Sequence, residues 1–149
     1  MEYGGGGIRP DLYVAADTLN AVERAFAKGL GNKITVYRDV LSTYSLELKG
    51  SGRLKDPSFP VTDEMVRDVM SRLRARGVTI PDSVAAGART LIALEIGYEG
   101  AQYAFGRAAE FRRRMAHDRQ AQEALALARR AKSPSDLLAL GTAQAANRN

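Results

Sequence analysis

A chain of 149 residues with 45% hydrophobic and 26% charged residues has globular composition, which excludes disorder as its main character. The formal net charge of +5 leaves polyanionic partners open, while the absence of cysteine excludes disulfides and thiolate zinc sites. No apolar run approaches the roughly 20 residues needed to cross a bilayer, so no membrane span is expected. Alanine and leucine dominate the second half, and the fold class this predicts is mainly α, a multi-helix domain.

The chain opens on Gly4-Gly5-Gly6-Gly7-Ile8-Arg9-Pro10-Asp11-Leu12-Tyr13-Val14. Glycines permit backbone angles that other residues avoid, and Pro10 biases Arg9 toward an extended conformation. A tight turn feeding a short N-terminal strand that ends near Val14 follows. The order Gly5-Gly6-Gly7-Ile8, Pro10-Asp11, Val14 and then Asp17-Thr18 resembles the close of the catalytic core in the carboxyl-terminal processing (tail-specific) serine peptidase family. Tyr37 to Leu41 and Glu110 to Arg114 are also similar to tail segments of some members.

The resemblance implies that residues 1–17 are the end of a protease core and that 18–140 form a helical C-terminal domain. Gly5, Gly6, Gly7, Pro10, Asp11 and Asp17 make up the structural motif of this reading. The serine nucleophile and lysine base would both lie upstream, beside a peptide-end-binding PDZ domain, so this chain would not itself be an enzyme. The parent would work in the periplasm or otherwise outside the cytoplasm, with its export signal ahead of Met1. This piece would then support the core, form a homo-oligomer, or dock a protein substrate or adaptor.

Past the strand, Asn20 and Glu23 have the spacing of a capping box, which predicts a helix to about Lys28, stopped by Gly29 and Gly31. Asn32 is placed to cap a second helix running to about Lys49. Ile34, Tyr37, Leu41, Tyr44 and Leu48 form its apolar stripe, with Val36 and Val40 widening it. Tyrosines at helical spacing among aliphatics read as core residues with their hydroxyls at the edge. Gly50 to Pro60 is a loop, expected to be mobile.

Thr62 caps a third helix with Asp63 and Glu64 in its first turn, where negative charge meets the positive end of the helix dipole. Met65, Val66, Val69, Met70 and Leu73 face inward, and Gly77 ends it. After the extended link Val78 to Pro81, Asp82 or Ser83 caps the longest helix, running toward Phe105. Its glycines Gly87, Gly97 and Gly100 indicate close approach or a bend, with a break near Gly97. Glu95 and Glu99 project from one face four residues apart. Two glutamates make an incomplete metal or proton-sharing set, and Glu99 is expected in a structural ion pair with an arginine of the helical layer.

Ala108 to Ala116 predicts a short helix with Phe111 and Met115 inward and Arg112, Arg113 and Arg114 outside. Asp118 caps the next helix, Gln120 to Ala131, and adjacent His117 does not face it. Ser133-Pro134-Ser135-Asp136 starts a last turn docked by Leu137, Leu138 and Leu140. Residues 141–149 have little left to bury and are expected to form a flexible tail.

Nothing in the sequence carries a phosphate loop, a metal-ligand cluster or a dinucleotide fingerprint, so no cofactor is expected. The arginines alternate with acids as on a solvated face, which argues against nucleic acid. The alternative function is an independent helical module that binds protein or nucleic acid through its arginine faces.

Overall fold

The computed structural model describes residues 12–146. Of the opening motif, Gly5, Gly6, Gly7, Pro10 and Asp11 lie outside the described residues. The described chain is mainly helical: α1 (Ala21–Leu30), α2 (Ile34–Gly50), α3 (Asp63–Ala75), α4 (Asp82–Gly87), α5 (Arg89–Phe105), α6 (Arg107–His117), α7 (Arg119–Arg130) and α8 (Pro134–Ala146). Among the described residues there is no strand. Leu12 to Val14, the described end of the expected strand, have no β-partner to pair with. No described helix is long and apolar enough to cross a membrane.

The chain divides into two compact units. Thr18–Met115 form one, and the segment ending at Asp17 joins the chain from Ala116 onward in the other.

In the larger unit, Asn20 starts α1 by the expected reciprocal cap. Its side chain accepts the Val22 and Glu23 N–H groups at 2.9 Å, and Glu23 accepts the Asn20 N–H at 2.8 Å. A 3-10 turn, Gly31–Lys33, links α1 to α2. Asn32 lies within that turn, and α2 starts without a side-chain cap, because the N–H groups at its start continue from helical backbone. Tyr37, Val40, Leu41, Tyr44 and Leu48 are buried, whereas Ile34, at the end of the stripe, is exposed. Helix α2 packs chiefly on α5 and also on α3.

Polar groups staple α2 to α3. Arg72 grips Glu47 with two bonds of 2.7 and 2.8 Å and lies over the Tyr44 ring, whose hydroxyl donates to Asp68 at 3.0 Å. Burial, with the Asp68 bond added, pushes the Tyr44 hydroxyl up to about 12.

The loop between α2 and α3 is anchored, contrary to its expected mobility. Leu54 and Phe59 are buried in the core, and the Arg113 guanidinium donates to the Pro57 and Phe59 carbonyls at 2.9 and 3.0 Å. Thr62 caps α3 as expected, accepting the Met65 N–H at 3.3 Å. The expected inward residues of α3 are all buried.

The long helix breaks at Ala88, between α4 and α5, not near Gly97. At Gly87, the last residue of α4, a Cβ would sit 2.5 Å from Val22 Cγ1, so α4 passes tightly against α1. Asp82 is the first residue of α4 and not its cap; its carboxylate pairs with Arg74. Gly97 and Gly100 admit side chains to an unbroken α5. A Cβ at Gly97 would lie 2.8 Å from Arg113 Nη2, and one at Gly100 2.7 Å from Phe59 Cζ.

Helix α6 is turned differently from its expected orientation. Phe111 is 60% exposed, while Arg113, expected outside, lies against α5 and the loop with its guanidinium 4.5 Å from the centre of the Phe59 ring. The part-buried Phe59 carbonyl would lose its donor if Arg113 turned outward, at a cost of about 1–3 kcal/mol.

In the smaller unit, Asp118 caps α7, accepting the Ala121 N–H at 2.9 Å. Ser133 and Asp136 start α8: the Ser133 hydroxyl accepts the Asp136 N–H at 3.1 Å and the Asp136 carboxylate the Lys132 N–H at 2.8 Å. Helix α8 packs on α7 and continues through Ala146, past the expected boundary at 140. The segment before Thr18 lies along α7. Gln120 donates to the Val14 carbonyl at 2.6 Å, and the Arg119 N–H donates to Asp17 at 3.2 Å. Leu127 is buried, but Tyr13, Leu125, Leu137 and Leu138 remain exposed.

Candidate functional site

Helices α1, α2 and α5, with Arg114 of α6, surround a cleft of about 610 Å³. Phe26, Ala27 and Leu30 come from α1, and Ile34, Tyr37, Arg38 and Leu41 from α2. The steps of three and four that make α2 amphipathic bring Tyr37 and Leu41 to this side. Leu91, Glu95 and Glu99 follow one another at every fourth position of α5, so one helix face presents an aliphatic residue and two carboxylates.

Glu95 and Glu99 are half-buried, and both carboxyls sit above the ordinary glutamate range. For Glu95 the main cause is desolvation, which the charges of Arg114 and Arg38 oppose. For Glu99 burial acts first and the neighbouring Glu95 charge second. Arg114 and a hydrogen bond with Ser42 pull it back down, and Glu110 pushes it up. Around Glu99, Ser42 is the hydrogen-bond partner, and Arg114 is near enough to act on its charge. Arg114 makes its direct ion pair with Glu110 and lies 4.3 Å over the Tyr98 ring.

Tyr37 is 5% exposed, and its hydroxyl is buried with no hydrogen-bond partner. Phe26 packs against the ring edge-on at 5.7 Å. The hydroxyl is pushed far above the usual tyrosine range, by desolvation first and then by the Glu95 and Glu99 charges. Two half-buried carboxylates, the Tyr37 side chain and the exposed Arg38 and Arg114 thus line one cleft.

A second groove, of about 540 Å³, runs between α3 and α4 to the start of α5. Val66, Met70, Ala85 and Ala86 form its apolar part, and the ion pairs Arg74–Asp82 and Arg89–Asp63 stand at its edges. Both of its carboxylates, Asp63 and Asp82, are thus paired with arginines, which sets it apart from the first cleft. Among the described residues, no group of three or more His, Cys, Asp or Glu is arranged to hold a metal ion.

Sequence spacing identified the Glu95 and Glu99 face and placed Tyr37 on a core stripe. It did not bring Arg38 and Arg114 to the same opening, since Arg114 arrives from a helix whose orientation is set by Arg113. Asp17, in the other unit, receives the first N–H of α7, a local role for one member of the opening motif. No family model, curated protein or solved structure matches the chain.

Proposed function

We propose that this chain is the end of the core and the non-catalytic helical C-terminal region of a carboxyl-terminal processing serine peptidase. The observation that carries the reading is the fixed order Gly5-Gly6-Gly7-Ile8, Pro10-Asp11, Val14, Asp17-Thr18. The architecture behind it is compatible: residues 12–20 without helix or strand, then helix upon helix. Cleavage of protein substrates, by a Ser-Lys pair lying upstream, belongs to the intact protein outside the cytoplasm.

The role assigned to this region is self-association of the parent. Its support is the smaller unit, where Leu125 is 42% exposed, Leu137 38% and Leu138 59%, leaving apolar surface on both α7 and α8. Sedimentation equilibrium of the isolated chain tests this role: a dimer or higher species is expected, and a monomer at high concentration would contradict it. The inactive-fragment claim has its own assay, incubation with an unfolded protein. The substrate should remain intact, and cleavage persisting after alanine replacement of Lys28, Lys33, Lys49, Lys55 and Lys132 would overturn that claim.

A further inference from the structure

We propose that the groove between α3 and α4 binds a small amphiphile, an unbranched alkyl chain of about eight to ten carbons ending in one carboxylate. This site is independent of the peptidase reading. The groove has the volume of a small-molecule site, about 540 Å³, with Val66 and Met70 of α3 on one wall and Ala85 and Ala86 of α4 on the other. Ion pairs stand at its two ends, Asp63 with Arg89 where α3 begins and Arg74 with Asp82 where it finishes. At 1.5 Å per residue, Asp63 and Arg74 lie roughly 16 Å apart along α3. An extended alkyl chain advances roughly 1.3 Å per bond, given a C–C bond of about 1.5 Å, so eight to ten carbons and a head group fill that length.

The charges select the head group. Asp63 and Asp82 are each taken by an arginine, whereas Arg67, exposed on the α3 wall, has no ion pair among the described residues. The groove therefore carries one surplus positive charge, which complements a ligand with one negative charge. A guanidinium presents paired N–H donors in a plane that matches the two oxygens of a carboxylate. Ser71, one turn after Arg67 on the same helix, adds a hydroxyl to that wall. Met70 supplies an unbranched, flexible thioether that adapts to an alkyl chain. The ion pairs at both ends obstruct a chain that continues past them, which favours a short ligand over a polypeptide segment or a long lipid tail.

The test is isothermal titration calorimetry of the full chain at neutral pH with octanoate, compared with octanol, octylamine, butyrate and octyl phosphate. Octanoate should bind saturably at one site per chain. Octanol should bind about tenfold or more weakly, the loss expected when hydrogen bonds between charged groups are forgone. Butyrate should lose about a hundredfold for its four missing methylenes, and octylamine should not bind measurably. Octyl phosphate, with its second charge, should bind no more tightly than octanoate. Arg67→Gln should weaken octanoate about tenfold and leave octanol unchanged. Ala86→Phe, which projects a ring from α4 into the groove, should abolish binding of both, and the control Arg107→Gln on α6 should change neither.

Circular dichroism verifies that each variant is folded, and Arg67→Gln alters only an exposed side chain. In the parent, octanoate should move the amide NMR shifts of residues 63–74 and 82–89. Equal binding of octanoate and octanol overturns the proposal. So does unchanged octanoate affinity in Arg67→Gln, tighter binding of octyl phosphate, shift changes confined to other helices, or no saturable binding up to about 1 mM, where the binding free energy is already small.

Discussion

Adding one methyl group at two glycines of the larger unit should change stability in opposite directions. Both Gly29 and Gly100 lie in helices, where alanine is favoured over glycine by about 1 kcal/mol. At Gly29 the new Cβ would meet Ile80 Cγ1 at 3.6 Å, an ordinary contact, so Gly29→Ala should stabilise by about 0.5 kcal/mol, reduced from the full value by its position near the helix end. At Gly100 the same atom would lie 2.7 Å from Phe59 Cζ and 3.4 Å from Cε1, with Leu54 Cδ1 at 3.5 Å. Phe59 is 3% exposed, and the Arg113 guanidinium lies 4.5 Å from its ring centre, so the ring has little freedom to yield. Overpacking costs about 1–3 kcal/mol, which exceeds the propensity gain and leaves Gly100→Ala less stable by about 1–2 kcal/mol. Urea unfolding followed by helical circular dichroism measures both variants, and thermal midpoints should move by about 4–8 °C per kcal/mol for domains of this size. Stabilisation by Gly100→Ala comparable to that of Gly29→Ala would refute the tight seating of the loop on α5.

Other outcomes follow from the same contacts. Arg113→Met retains an apolar stem but removes the donor from the part-buried Phe59 carbonyl and the exposed Pro57 carbonyl; destabilisation of about 1–3 kcal/mol is expected, with faster proteolysis between Gly52 and Pro60, and an unaltered cleavage pattern would count against the anchor. Glu95→Gln should be more stable than the parent at neutral pH, because the native carboxyl lies above its unfolded value and its charge is desolvated. That advantage should shrink as pH falls through the raised native value toward the ordinary glutamate value, since the native parent then takes up its proton; a pH-independent difference in paired urea titrations would contradict it. Phe111→Ser, at an exposed position, should alter stability by no more than about 0.5 kcal/mol, and a larger loss would restore the inward orientation expected from sequence.

Helix starts were the most legible part of the sequence because capping is short-range chemistry. Asn20, Thr62, Asp118 and Ser133 each bond an N–H within three residues, so the side chain and its partner occupy one window. The inward faces of α2 and α3 were legible for a similar reason, through periodicity. What escaped depends on groups distant along the chain. Gly87, beside the break at Ala88, packs against Val22, and the glycines of α5 accommodate a ring and a guanidinium from other segments. The orientation of α6 could not be read from its own apolar spacing because Arg113 serves carbonyls more than fifty residues earlier. Half of the candidate cleft was visible as the Glu95 and Glu99 spacing. Its other half required knowing that the Tyr37 hydroxyl would be sealed without a partner, a property of packing rather than of composition.

The most direct measurement for the account as a whole is the nucleotide sequence of the natural reading frame immediately ahead of Met1. An in-frame peptidase core carrying the nucleophilic serine and basic lysine is the predicted result. A stop codon there, or an unrelated domain, would contradict the assignment of these helices to a processing protease.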